Sequence, residues 1–202
     1  MRKRKLSPPP APLALQIHPL TLDRWRDLER LFGERGACGG CWCMWWRVPQ
    51  GGKTWHEAKG DKNRDTFRRL VRADKVHAVL AFDGNEPVGW CSFGPKETFA
   101  RLKRIRALQH ESPEGTWAIV CFYIPARWRG RGVATALLQA ATNRALELGA
   151  KAVEGYPVKL KEEGARMPGA FAWTGVPALF ERSGYEEMQP AGATRLLFTL
   201  NG

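Results

Sequence analysis

Long hydrophobic runs are missing: no stretch approaches the roughly 18 consecutive apolar residues that a membrane-spanning helix requires, which excludes an integral helical membrane protein. Acidic residues are scarce beside basic ones, 20 Asp and Glu against 32 Lys and Arg. Four of the resulting +12 charges, Arg2, Lys3, Arg4 and Lys5, lie in a leader rich in proline, so +8 remains on the body. That balance excludes an acidic solvating chain and favours a polyanion, an anionic surface or a phosphate-bearing small molecule. The leader also lacks the uninterrupted apolar stretch of a secretory signal, because Pro8, Pro9, Pro10 and Pro12 break it. Cysteines number only five, an odd count that does not fit a secreted disulfide framework, so a reducing cytoplasm is expected. No internal repeat is present.

What is there suits one globular unit: 202 residues, 44% hydrophobic and 26% charged. Residues 1–15 read as a basic, Pro-rich tail and 16–202 as a single domain, with a variable beginning over 16–75 and a core over 76–202. Trp25, Leu28 and Phe32 fall at helical spacing behind Thr21, predicting a helix within 16–32. A Gly, Cys and Trp loop follows over 33–52, then a helix near 64–72. Two β-rich runs, 76–82 and 87–93, flank Asp83-Gly84, a hairpin signal. The almost wholly apolar run 117–124 predicts a central strand covered on both faces. Ala134, Leu137, Leu138, Ala141, Ala145 and Leu148 then mark a helix that Gly149 stops. A strand at 152–155, a short helix at 177–183 and terminal strands near 185 and 195–200 complete a mixed α+β domain, expected as a mostly antiparallel central sheet flanked by helices.

Chemistry concentrates where the central strand meets that helix, in Arg127-Trp-Arg-Gly-Arg-Gly-Val-Ala-Thr135. Glycines there let backbone N–H groups converge, and the helix N-terminus adds positive charge, making an anion cradle. Neither a G-x-x-x-x-G-K-[ST] nucleotide loop nor a G-x-G-x-x-G fingerprint is present. Arg129-Gly-Arg-Gly132-Val-Ala134 instead matches [QR]-x-x-G-x-[GA], and the stretch resembles the acyl-CoA-binding motif of the GNAT superfamily of N-acetyltransferases. Downstream, Gly175-Val-Pro-Ala-Leu-Phe-Glu-Arg-Ser-Gly-Tyr185 resembles that superfamily's second signature, so the resemblance runs over about 76–200.

The resemblance implies acetyl-CoA as co-substrate and a primary amine, expected to be a small molecule, that attacks the thioester directly. A module of the same fold that holds acyl-CoA without turnover is the alternative. The resemblance places the pyrophosphate on the backbone of Arg129, Gly130, Arg131, Gly132, Val133, Ala134 and Thr135. It pairs the pantetheine arm with Phe122, Tyr123 and Ile124, and it offers a backbone N–H near Tyr123 to the developing oxyanion. Where the superfamily often carries an acid Tyr in the short helix, this chain has Phe180. Glu154 as base and Tyr156 as acid are the favoured candidates, with Glu111 and Glu114 as further carboxylates.

Cys38-Gly-Gly-Cys41-Trp-Cys43 suggests zinc by spacing, but the ligand count falls short of four, and no metal is expected. Cys91 and Cys121, in apolar runs, read as small buried hydrophobes. Trp42 and Trp45, with Trp46, offer flat faces against which a cationic amine can rest, or core packing under the first helix. Arg101, Lys103, Arg104 and Arg106 form either a solvated face or a lure for anions. The four histidines, His18, His56, His77 and His110, show no ligand spacing and receive no role. Nucleic acid is disfavoured as a partner, because its only support is charge. No membrane partner is expected, and a homodimer is left open.

Overall fold

The computed structural model describes residues 14–48, 55–105, 108, 110–159, 172–188 and 195–202. The leader 1–13, Arg106 and much of the loop after Tyr156 lie outside the described residues. Seven strands, β1 (Leu15–Pro19), β2 (His77–Asp83), β3 (Glu86–Pro95), β4 (Thr116–Tyr123), β5 (Ala152–Gly155), β6 (Glu186–Glu187) and β7 (Phe198–Asn201), form one sheet in the order β1-β2-β3-β4-β5-β7-β6. Every neighbouring pair is antiparallel except β4 and β5, which run parallel. That exception follows from the helix connecting them, since a crossover returns the chain in the same direction.

The first predicted helix is shorter than its pattern suggested. Residues 15–19 pair with β2 as an edge strand, consistent with the alternation of Leu15 and Ile17, and the Thr21 carbonyl accepts the Arg24 N–H in a turn instead of Thr21 capping a helix. Helix α1 then covers Trp25–Phe32, α2 Asp61–Arg72, α3 Val133–Glu147 and α4 Pro177–Glu181. The sheet separates two cores. On one face α1, α2 and the Trp loop bury Trp25, Phe32, Trp46, Phe67 and Trp90. On the other, α3 and α4 bury Leu137, Leu138, Ala141, Phe180 and Phe198. Gly89 lets α3 sit close on β3, for a Cβ there would meet Val133 at 2.7 Å.

Strand β4 is irregular in its second half. Its register against β3 shifts so that Ser92 faces Cys121 and Phe93 faces Ile119, leaving Val120 as the extra residue of a bulge. The Val120 carbonyl accepts the Trp46 indole N–H at 2.8 Å. Alternation fails there, so Val120 and Cys121 both join the α1-side core. Pairing with β5 ends at Ile119–Gly155 although β4 runs on to Tyr123, and the two parallel strands part.

Candidate active site

At the parting of β4 and β5 the chain leaves Tyr123, makes a short turn over Ala126–Trp128 and enters α3 through two glycines in the left-handed region, Gly130 (φ 71°) and Gly132 (φ 83°). Gly132 is the N-cap residue, and no side chain caps the helix. The first-turn N–H groups of α3 therefore have neither an intrahelical acceptor nor a side-chain one. A Cβ on Gly130 or Gly132 would meet nothing within 4 Å, so the space before these amides is open. Arg129 donates from Nε to the Ile124 carbonyl at 2.8 Å, tying the junction back to the strand end. The other two arginines turn elsewhere: Arg127 pairs with Glu86, and Arg131 lies 4.8 Å from the Trp128 ring centroid. Open amides, a helix dipole and Arg129 fit a diphosphate.

A cavity of about 860 Å³ begins at this junction and runs along β4. Every residue expected to hold the coenzyme lines it except Arg131. The Phe122 N–H, however, is already accepted by the Trp173 carbonyl at 2.7 Å, so that amide is not available to an arm or an oxyanion.

The far end of the cavity is aromatic and sulfur-rich. Trp45 stands perpendicular to both Trp55 (4.9 Å, 82°) and Trp173 (6.2 Å, 89°), giving three walls, with His56 beside Trp55. Trp42, expected here with Trp45, lies instead in the core under α1, near Trp25 and Phe32, and does not line the cavity. The tryptophan faces already carry cations of the chain: Arg101 over Trp45 at 3.6 Å, Lys59 over Trp55 at 4.4 Å and Arg195 over Trp173 at 4.8 Å.

Cys38, Cys41, Cys43 and Cys121 share the lining. The loop that carries the first three has non-glycine residues in the left-handed region, Ala37, Trp42 and Cys43, a costly backbone that tertiary packing must hold. Its interaction with Cys43, then burial, raises the Cys41 thiol, and burial first of all raises Cys43. A hydrogen bond with Cys43 pulls Cys121 down, but burial and neighbouring thiols leave it raised. Cys41, Cys43 and Cys121 are therefore held in the thiol form more firmly than a free cysteine. Among the described residues no group of three or more His, Cys, Asp or Glu side chains is placed to hold a metal ion.

Glu154 and Tyr156 do not line the cavity. Glu154 is 2% exposed and fully engaged: Tyr156 donates its hydroxyl at 2.6 Å, Ser112 donates at 2.7 Å, Lys96 pairs at 2.9 Å and His110 at 2.9 Å. Burial pushes this carboxyl up, but the hydrogen bonds from Tyr156, Lys96 and Ser112 and the Lys96 charge outweigh it and hold the pKa below its ordinary value. Burial, with the Glu154 charge, pushes Tyr156 far up. Glu111 and Glu114 are exposed and also stand outside the lining. Phe180 is buried rather than site-facing, because its ring fills the space where Gly155 has no side chain.

Four lining residues carried no usable signal or were read otherwise. Cys121 looked like a strand hydrophobe until the bulge turned it, whereas Trp55, His56 and Trp173 sit in segments without periodicity.

The comparisons agree with this architecture. The model of the acetyltransferase (GNAT) family matches residues 42–162. No curated protein sequence matches the chain. Among solved structures, the chain is similar to the GNAT domain of S. lividans PAT (14% identity, TM-score 0.56, 93% of this chain and 90% of that one). It also resembles the PaiA N-acetyltransferase of Thermoplasma acidophilum in complex with coenzyme A (10%, 0.54, 94% and 100%) and an N-acetyltransferase of Staphylococcus aureus Mu50 (11%, 0.53, 93% and 98%). With the matched segment spanning more than half of the sequence and both family signatures in place on the observed fold, the chain belongs to the GNAT acetyltransferase family, whose acyl donor is acetyl-CoA.

Proposed function

We propose that the chain transfers an acetyl group from acetyl-CoA to the primary amine of a small molecule by direct attack on the thioester. The observation that carries this is the continuity of one cavity from the open amides at Gly130 and Gly132 to the aromatic end. The donor supplies an activated acyl group and a thiolate leaving group. The amides of the first turn of α3, with Arg129, hold the diphosphate, while the β4 stretch past Ile119 orients the arm. Because the Phe122 N–H is taken, the backbone past it is left to face the developing oxyanion. His56 is the imidazole of the lining and accepts the amine proton. Tyr123, raised by burial, and the Cys121 thiol are the protonated donors nearest the strand end for the departing thiolate.

In this reading Glu154 and Tyr156 position rather than catalyse: they clamp the segment that carries Lys96, His110 and Ser112 onto β5. Phe180 packs instead of protonating. All five cysteines are free, in keeping with a reducing cytoplasm, and no helix among the described residues is long and apolar enough to cross a membrane.

The test is Gly132→Val, at a position where the fold leaves space. Calorimetry should show coenzyme A affinity reduced at least ~100-fold with a modest loss of Tm, since a β-branched side chain both strains the left-handed cap and covers the amides. Wild-type affinity in that variant would sink the proposal. Stabilisation by the coenzyme with no thiol release across an amine panel would favour the non-catalytic acyl-CoA-binding reading.

A further inference from the structure

Four of the five free cysteines, Cys38, Cys41, Cys43 and Cys121, line the cavity, and the proposed acetyl transfer leaves the first three without a task. They are graded by access: Cys38 is exposed, Cys41 half-buried, and Cys43 and Cys121 buried. Cys41 hydrogen-bonds Cys43, and Cys43 hydrogen-bonds Cys121 on β4. Cys38 and Cys41 bound the sequence Cys-Gly-Gly-Cys. Cys38 is extended (φ −97°, ψ 94°), and both glycines after it are left-handed, Gly39 at φ 60° and ψ 40° and Gly40 at φ 75°. Two left-handed residues in succession make a tight turn whose ends lie within about 7 Å, Cα to Cα. A disulfide spans about 4.4–6.8 Å between the same atoms. The Cys41 sulfur is already folded back on this turn, donating to the Gly36 carbonyl at 3.8 Å and accepting the Cys38 backbone N–H. Contacts from outside fix the turn: the Gly40 carbonyl accepts the Gly60 N–H at 3.0 Å and Asn63 Nδ2 at 3.4 Å, and a Cβ on Gly40 would meet the Gly60 nitrogen at 2.6 Å. The ends are thus held within bridging reach before any bond forms.

We infer that Cys38 and Cys41 are a redox pair, a site of modification by low-molecular-weight disulfides that closes into an intramolecular disulfide. The Cys38 thiolate attacks one sulfur of R–S–S–R, forming Cys38–S–S–R and releasing RS⁻. Cys41, having given up its proton, then attacks the Cys38 sulfur, so that the Cys38–Cys41 bond forms and the second RS⁻ leaves. The two cysteines together lose two electrons and two protons, and the small disulfide gains them as two RSH. Cys38 begins the exchange because solvent reaches it. Cys41 resolves it because it stands across the turn, whereas Cys43 is closed off in the core. Closure removes both thiols from the cavity lining and draws the Cys41 sulfur off Cys43. The pairing is independent of the acetyl-transfer reading, since it needs neither the coenzyme nor an amine.

The test treats the full, reduced chain with glutathione disulfide, quenches with acid, alkylates the remaining thiols and maps the peptides by mass spectrometry. In the wild type, Cys38 and Cys41 should lose their alkylation together, at least ~10-fold faster than Cys91, in a peptide lighter by two hydrogens, and dithiothreitol should restore both. Cys41→Ser should instead retain glutathione on Cys38, and Cys38→Ser should slow the loss of Cys41 at least ~10-fold. Coenzyme A disulfide in a parallel arm separates the sources: closure at least ~10-fold faster than with glutathione disulfide supports the pair with the coenzyme's own oxidised form as its partner, and equal rates support it with small disulfides in general. A glutathione adduct that persists on wild-type Cys38 while Cys41 stays open to alkylation overturns the inference. A bridge from Cys41 to Cys43, or Cys38 and Cys41 reacting no faster than Cys91, overturns it equally.

Discussion

The two ends of the cavity are built from different materials. At the α3 end the working groups are backbone amides, and the side chains nearby mostly turn away, as Arg127 does to Glu86 and Arg131 to Trp128. At the far end the working groups are side chains, held by a loop whose backbone is strained at Ala37, Trp42 and Cys43. An amide cradle needs only glycines, a strand end and a helix start, so it recurs in any sequence with that punctuation. A side-chain pocket depends on packing from α1, α2, β4 and the loop before α4, and is peculiar to each chain. The fold itself is shared with proteins only 10–14% identical to this chain, so it does not depend on one particular set of side chains.

That contrast breaks first at glycine. Gly36 has φ 58°, and a Cβ there would sit 2.1 Å from the Trp42 indole nitrogen, whereas Gly130 has φ 71° and nothing within 4 Å. Gly36→Ala adds overpacking to left-handed strain and should cost about 4 kcal/mol. In a domain of this size that is a fall in Tm of roughly 8–16 °C. Gly130→Ala carries the strain alone, about 1 kcal/mol. Equal falls in Tm for the two variants would show that the ends do not differ in this way.

A second, intermediate effect concerns the buried polar cluster around Glu154. Glu154→Ala leaves Lys96 and the Tyr156 hydroxyl without their buried partner and should cost about 3 kcal/mol, read by urea denaturation. Because the folded carboxyl lies below its ordinary 4.5, its contribution is complete above that pH and is lost as the pH falls through the folded value. Glu154→Gln should therefore show a shallower acid limb than the wild type in stability against pH. An unchanged limb would mean that the cluster does not hold the charge.

The smallest effect is chemical. Cys38 is exposed, while Cys43, Cys91 and Cys121 are buried. Alkylation mapped by mass spectrometry should reach Cys38 at least ~10-fold sooner than Cys91, and coenzyme A should slow it, since Cys38 shares the cavity. Cys91 reacting as fast would contradict the closed packing of the α3 side.

These contrasts also explain what could be read from the sequence. The glycine junction, the hairpin, α3 and the short helix before Gly184 were legible because local rules decide them: left-handed glycines, an Asp-Gly turn and a 3.6-residue apolar period. Residues 16–19 were misassigned because Leu15 and Ile17 alternate over too short a span to compete with the helical spacing of Trp25, Leu28 and Phe32. Glu154 and Tyr156 were placed correctly on and after β5, yet their burial in a polar cluster depends on Lys96, His110 and Ser112, which arrive from a segment with no pattern of its own. Trp42 and Trp45 were indistinguishable by composition, and only the left-handed turn at Trp42 and Cys43 sends one under α1 and the other into the cavity.

One proton joins the two ends. The Trp46 indole N–H that satisfies the bulged carbonyl of Val120 fastens the loop beside the acceptor walls to the same strand that would line up the donor arm. Trp46 is fully enclosed, and its neighbour Trp45 is one peptide away from that fastening. The aromatic end of the cavity is consequently indexed to the strand, so under the proposed function a displacement of β4 would re-aim an amine held there relative to the thioester.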